Sequence, residues 1–155
     1  MSLSALTALS PLDGRYHAKV AALRPLFSEY ALIRFRLQIE IEWLKALAAE
    51  PAIREVPAFS PATVSALDAL ARNFSESDAG AIKAIELRTN HDVKAIEYFL
   101  KERLAGNAEI DRVAEFIHFA CTSEDINNLS HGLMLQRSRE EVMLPALDQV
   151  IARLA

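Results

Sequence analysis

Apolar and polar residues alternate without a break from Ile33 to Trp43, in the string IRFRLQIEIEW. A period of two is typical of a half-buried strand. The surrounding apolar residues instead repeat every three or four positions and define one helical face: Tyr30, Ile33, Leu37, Ile41, Leu44 and Ala48. The chain offers no second convincing strand, and a lone strand cannot pair its own backbone groups. We therefore predict a helix here, buried on more than one side.

Residues that favour helix starts precede each later run of helical spacing. The predicted starts lie at Ser60-Pro61, at 75–78 and at 90–92. The helical faces that follow them carry, in turn, Val64, Leu67, Ala71 and Phe74; Ile82 and Ile85; and Val93, Ile96 and Leu100. Because no strand pattern competes with these helices, the sequence predicts an all-α fold.

Two further apolar stripes complete the chain. One runs through Ile110, Val113, Ile117 and Cys121, which predicts that the cysteine packs in the core. The other follows a helix start near Glu124 and contains Leu144, Leu147, Ile151 and Leu154, with a local kink expected at Pro145. This stripe still runs at Ala155 without a stop signal, so we expect the polypeptide to continue.

Composition narrows the possible classes of protein. The net charge of −4 argues against a general nucleic-acid binder, which would carry a basic face. Hydrophobic residues make up 52 %, which indicates apolar surface meant for a partner subunit or for further chain. No run is long enough to cross a membrane, and the first residues lack the basic region of a secretory signal. Since a lone cysteine cannot form an internal disulfide, we expect a soluble, cytoplasmic chain.

The richest polar segment reads HFACTSEDINN and spans 118–128. It places Thr122 and Ser123 where one apolar run ends and the last helix begins. Hydroxyls at a helix start lie beside orphan backbone N–H groups and a partial positive charge, which suits an anion. The alternative is an ordinary N-cap, with Asp125 completing a capping box. Taken alone, the segment favours the cap.

A second polar cluster, SPLDGRY, spans 10–16. A turn at Asp13-Gly14 sets Arg15 and Tyr16 side by side on a non-helical segment. An arginine fixed next to a phenol is a reasonable clamp for a carboxylate or phosphate. The alternative, equally favoured in isolation, is a surface turn with a solvated arginine.

The third polar cluster, RTNHDVKAIE, spans 88–97 and contains Asn90, His91 and Asp92 at a predicted helix start. A histidine there can bind an anion or exchange a proton. The alternative, favoured for the cluster alone, is a cap at Asn90 beside an exposed His91. The pattern assigns no site role to the remaining histidines, and it predicts that His118 is buried and hydrogen-bonded.

Together the three clusters resemble the adenylosuccinate lyase family, a branch of the fumarase/aspartase superfamily. The resemblance rests on SPLDGRY, TNHDVKAIEYFLKE and EFIHFACTSEDINNLSH, in the order and spacing of the longer bacterial members. It covers essentially the whole chain and identifies it as the N-terminal part of such a lyase. It implies a small N-terminal helical domain at 1–110, followed at 111–155 by the first long helices of a central helical bundle.

The resemblance also implies an activity. Family members are C–N lyases of purine biosynthesis that release fumarate from adenylosuccinate, giving AMP, and from a succinylated aminoimidazole carboxamide ribotide. They require no cofactor and no metal. The matched motifs place the nucleotide on Arg15 and Tyr16, the succinyl end on Thr122 and Ser123, and further substrate contacts on Asn90, His91 and Asp92. Of these, His91 would help in proton transfer or phosphate placement, and Asp92 would orient His91 or a ribose hydroxyl.

Two parts of the family's machinery are expected outside this chain. The general acid, a histidine, and the base, a serine on a mobile loop, would fall after Ala155, so the chain alone is expected to be inactive. The resemblance further implies a homotetramer whose active sites are shared between subunits. The alternatives are another fumarate-releasing lyase, such as an argininosuccinate lyase, and a helical interaction module without catalysis.

Overall fold

The computed structural model describes residues 4–155, and over that range the predicted all-α fold is confirmed. Short 3-10 turns at Ala21–Leu23 and Ala114–Phe116 join longer helices. The helices are α1 (Arg24–Phe27), α2 (Glu29–Ala49), α3 (Pro61–Arg72), α4 (Glu76–Thr89), α5 (Asp92–Leu104), α6 (Ala108–Val113), α7 (Ser123–Ser138) and α8 (Leu144–Leu154).

Helix α2 is the centre of the fold, and its alternating sequence has a simple explanation. The predicted face, including Ile33, Leu37 and Ile41, lies in the main hydrophobic core against α3, α4 and α5. A second side carries Ala31 and Phe35, which pack with Leu26 of α1 and Met134 of α7. Because two sides of the helix are covered, apolar residues recur more often than every third or fourth position. The alternation thus reflects burial on two sides of a helix.

The predicted helix starts are confirmed at their caps. The Ser60 hydroxyl accepts from the Thr63 N–H, 3.3 Å away, and Pro61 takes the first helical position of α3. Ser75 and Asp78 form a reciprocal capping box before α4. Each side chain satisfies a backbone donor that the first turn of a helix leaves unpaired.

The stripe predicted through Cys121 is wrong at its C-terminal end. Ile110, Val113 and Ile117 are buried as predicted, but α6 ends at Val113 and residues 117–122 are irregular. His118 and Ala120 adopt positive φ angles of 65° and 58°, a conformation that cannot extend a right-handed helix. Cys121 therefore lies half-buried in a loop. We call residues 117–122 the α7 entry loop.

The irregularity predicted at Pro145 is also present. A π-helical turn, Arg139–Met143, separates α7 from α8, and Pro145 sits at the start of α8. Proline lacks a backbone N–H, so the carbonyl group one turn before it loses its usual helical donor. In a π-helical turn the carbonyl groups accept from N–H groups five residues further along instead of four. The predicted single long helix is therefore two helices joined through a π-helical turn.

One apolar stripe lies outside the core. Its members are between 40 % and 83 % exposed: Met143, Leu144, Leu147, Val150, Ile151 and Leu154. We call these residues the α8 stripe. The high hydrophobic content of the chain predicted exposed apolar surface, and the α8 stripe is such a surface. Within residues 4–155, no helix is both long and apolar enough to cross a bilayer.

The α8 stripe leads to a first prediction. The 155-residue chain should self-associate in dilute buffer, because burying the stripe removes apolar surface from water. Replacing Leu147 and Ile151 together by Glu should return the chain to a monomer, as measured by multi-angle light scattering. A wild-type chain that is already a monodisperse monomer would contradict the prediction.

Candidate functional site

The polar clusters at 88–97 and 118–128 meet at one buried side chain, Arg36 of α2. Its Nη2 lies 2.7 Å from Oδ2 of Asp92, at the start of α5. Its Nε donates to Oδ1 of Asn127 in α7, at 2.8 Å. The Arg36 side chain is only 8 % exposed. The guanidinium therefore ties the beginnings of α5 and α7 to the central helix, which brings residues 90–92 and 118–128 to one region.

The junction between α4 and α5 differs from the predicted cap at Asn90. Asn90 ends α4 in the left-handed conformation, with φ at 51°, and His91 is the N-cap of α5. Nδ1 of His91 accepts from the Lys94 N–H at 3.1 Å, so in the neutral ring the proton sits on Nε2. The His91 side chain is half-exposed and borders a shallow pocket with Asn90 and Asp92. An N–H donor can thus face the solvent at this junction.

Asp92 lines the pocket and also forms an ion pair with Arg36 inside the fold. Burial opposes its ionisation, but the Val93 N–H and the Arg36 guanidinium outweigh that effect, so the pKa of Asp92 is lowered. Its Oδ1 lies 3.8 Å from Nδ1 of His91, too far for a hydrogen bond. Asp92 is therefore an ionised partner of Arg36, and the structure shows no hydrogen bond by which it would orient His91.

Thr122 and Ser123 lie at the start of α7, and here the ordinary cap is present. Oδ2 of Asp125 accepts from the Thr122 N–H at 2.7 Å and from the Thr122 hydroxyl at 2.9 Å. These two bonds lower the pKa of Asp125. Within residues 4–155, the Ser123 hydroxyl makes no hydrogen bond to the protein. Ser123 is thus the hydroxyl that a ligand could engage without breaking the cap.

Arg15 and Tyr16 follow the predicted turn. The N–H groups of Asp13 and Gly14 both donate to the carbonyl of Ser10, and Gly14 is buried. A Cβ at Gly14 would lie 2.7 Å from a backbone oxygen, so this position needs glycine. The Arg15 guanidinium stacks 4.7 Å from the Tyr16 ring centroid, and both residues are exposed. Within residues 4–155, neither forms a hydrogen bond or ion pair with the other two clusters.

Comparison of the chain with known proteins shows the family to which it belongs. The model of a family described as "Lyase" matches residues 14–155. The chain belongs to this lyase family. It is 62 % identical over 151 residues to the adenylosuccinate lyase of Escherichia coli K12, 58 % identical to that of Haemophilus influenzae and 48 % identical to that of Legionella pneumophila (strain Corby).

Each of these matches covers 97 % of this chain and 33 % of the relative. The lyase chain therefore spans about a third of the length of the curated relatives it matches. The resemblance read from the three clusters is confirmed.

Arg36 and Glu40 do not stand out as site residues in the sequence, because both lie in the alternating segment, where a polar residue is typical of a solvent-facing position. In this lyase chain they are buried one helical turn apart on α2. Oε1 of Glu40 lies 2.6 Å from Nδ1 of His118 in the α7 entry loop, which confirms the predicted hydrogen bond of that histidine. Trp43, on the same helix, donates from Nε1 to the carbonyl of Phe119 at 2.8 Å. The available signal was the i, i+4 spacing of Arg36 and Glu40, which places two opposite charges on one face of the predicted helix.

Removing Arg36 tests the junction of the two clusters. We expect Arg36→Met to lower the free energy of unfolding by about 1–3 kcal/mol, because it deletes two charge-assisted bonds while the half-exposed Asp92 can still be hydrated. Urea unfolding of the chain followed by circular dichroism would measure this loss. The matched control is Arg54→Met, at an exposed arginine, which should change stability little. Equal losses in the two variants would contradict the bridging role of Arg36.

The lowered pKa of Asp92 predicts a pH dependence. Ionised Asp92 stabilises the fold above its unfolded pKa of about 3.9, and this contribution disappears as the pH falls through the lower native pKa. The advantage of the wild-type chain over Asp92→Asn should therefore be largest above about pH 4 and shrink below it. Urea unfolding of both chains at a series of pH values would show this. A difference that is constant or grows towards low pH would disagree with the Arg36–Asp92 pair.

Proposed function

We propose that this chain is part of an adenylosuccinate lyase, which eliminates fumarate from adenylosuccinate to give AMP, and from the succinylated aminoimidazole carboxamide ribotide in the same way. The observation that carries the proposal is the 62 % identity, over 97 % of the chain, to a relative of that name. The bonds of Arg36 to Asp92 and Asn127 support the proposal, because they join two of the three polar clusters, 88–97 and 118–128.

The candidate residues suit a substrate with a phosphate and two carboxylates. In this proposal Thr122 and Ser123 take the succinyl end, and the unpaired Ser123 hydroxyl is the readiest donor. Arg15 and Tyr16 take the nucleotide, since their guanidinium and phenol are exposed and stacked. Asn90, His91 and Asp92 complete the site, with His91 donating to phosphate or helping in proton transfer. The general acid and base, a histidine and a serine, come from beyond residue 155.

Assembly is the second part of the proposal. The enzyme is a homotetramer with active sites shared between subunits, and the α8 stripe is buried in a central helical bundle. Residues 1–110 form the N-terminal domain and residues 111–155 begin the bundle. The location is cytoplasmic, where a lone cysteine stays reduced. Neither a cofactor nor a metal takes part in the proposed reaction.

The proposal predicts turnover by the full-length polypeptide and none by the 155-residue chain. Purified enzyme should change the ultraviolet absorbance of adenylosuccinate and release fumarate, while argininosuccinate stays unchanged. Turnover of argininosuccinate would favour the other fumarate-releasing lyase. A well-folded full-length protein that acts on neither compound would favour an inactive helical module.

Within the active enzyme, Arg15→Ala should raise KM at least tenfold, because a guanidinium that binds a substrate anion contributes more than about 1.4 kcal/mol. The matched control is Lys19→Ala, at an exposed cation 5.7 Å from the same Tyr16 ring, which should leave KM within about threefold. An unchanged KM in Arg15→Ala would remove Arg15 from the proposed site.

A further inference from the structure

Within residues 4–155, the fold buries one acid, Glu40, that neither a lysine nor an arginine contacts. Glu40 is fully buried, and its Oε2 has no hydrogen-bond partner within residues 4–155. Its Oε1 has one partner, Nδ1 of His118. A buried ionised carboxylate needs several donors or an opposite charge to offset the lost hydration. The Oε2 atom of Glu40 has neither a hydrogen-bond donor nor an opposite charge within residues 4–155.

A second buried acid of the same chain shows the contrast. Glu97 of α5 is also buried, but Lys94 and Lys101 contact it at 2.7 Å and 3.1 Å. Although burial raises the pKa of Glu97, the two ammonium groups outweigh burial and lower it overall. For Glu40, burial is the largest effect and outweighs the hydrogen bond and the charge of His118, which act in the opposite direction; the negative charge of Glu97 adds to burial, and the pKa of Glu40 is raised. The same core therefore ionises one acid and disfavours ionisation of the other.

His118, the histidine that contacts Glu40, lies close in sequence to Thr122 and Ser123, the hydroxyls proposed to bind the succinyl end of the substrate. His118 precedes Thr122 by four residues and stands in the α7 entry loop with a positive φ of 65°. Its ring is about 20 % exposed, and Nε2 makes no hydrogen bond within residues 4–155. A positive charge on His118 would also lower the pKa of Asp125, the acid that caps α7. The groups facing the Glu40–His118 pair are thus Glu97 from α5, Cys121 from the loop and Asp125 from α7.

The number of protons on the pair decides what Nε2 can do. With one proton in total, held on Nδ1, Glu40 would be an anion that accepts from Nδ1, and Nε2 would be a bare acceptor. With two protons, one between Oε1 and Nδ1 on either atom and the other on Nε2, Nε2 is a donor. The two-proton arrangement also removes the net negative charge from the buried site.

We propose that Glu40 is a positioning residue that holds two protons together with His118, one between Oε1 and Nδ1 and one on Nε2, and so presents the Nε2–H of His118 as a donor at the start of α7. This inference rests on the proposed function, because the group that receives the bond is a carboxylate or phosphate of the substrate. Glu40 itself touches no substrate. It fixes the ring through the 2.6 Å bond, while the bond from Trp43 fixes the backbone of the same loop.

The protonation state is tested without substrate. Nitrogen-15 solid-state NMR of the histidine-labelled full-length polypeptide at about pH 8.5, some two units above the ordinary histidine pKa of about 6.5, reports which ring nitrogen carries hydrogen. The His118 signals are assigned with His118→Gln. We expect Nε2 of His118 to be protonated. An unprotonated Nε2 would overturn the proposal, whatever reaction the enzyme catalyses.

Kinetics with adenylosuccinate test the positioning role. Glu40→Leu removes the bond to His118 and should raise KM at least tenfold with a smaller change in kcat. Glu40→Gln can still donate to Nδ1 and should stay within about threefold of the wild type. The matched control is Glu42→Leu, at an exposed acid two residues along the same helix, which should behave as wild type.

Thermal unfolding and light scattering would be measured for each variant, to check that it keeps its fold and assembly. A wild-type KM in Glu40→Leu, or equal losses in Glu40→Leu and Glu40→Gln, would each overturn the positioning role. Absence of turnover in the wild-type enzyme would instead reject the proposed function and leave the NMR result standing.

Discussion

The arrangement of the candidate site depends on the burial of one positive charge. The Arg36 guanidinium lies inside the fold, where an unpaired charge would be far too costly to maintain. Its partners, Asp92 and Asn127, lie on two other helices, α5 and α7. Apolar packing could tolerate small shifts of these helices, whereas two directional bonds to one planar group allow few. The requirement to pair Arg36 therefore fixes the distance between two polar clusters that are distant in sequence.

The same helix supports the irregular backbone around those clusters. Arg36, Glu40 and Trp43 follow one another at helical spacing and bond, respectively, to the start of α5, to His118 and to the carbonyl of Phe119. Apolar sides of α2 build the core, and this polar side holds the segments that have no regular structure. Positive φ angles in the α7 entry loop persist because these contacts outweigh their conformational cost.

Helix starts and core faces could be predicted from the sequence because they depend on local chemistry, as Ser60 and Ser75 show. The cap of α5 could not, because local chemistry favours Asn90 over His91. Asp92 pairs with Arg36 and fixes the register of the first turn, which leaves His91 at the cap. Arg36 and Glu40 were missed for a related reason. Their burial depends on α5 and α7, which the alternation of α2 does not reveal.

The caps also decide which atoms can bind an anion. At α5 the Val93 and Lys94 N–H groups already donate to Asp92 and His91, and at α7 the Thr122 N–H donates to Asp125. Acidic caps also offset the positive end of each helix. Binding by these backbone groups, as first expected from the helix starts, would require breaking the caps. Side chains held by the caps, such as Ser123 and Nε2 of the neutral His91 ring, can donate while the caps stay intact. At these two helix starts, the caps hold side-chain donors in place at the same time as they pair backbone groups.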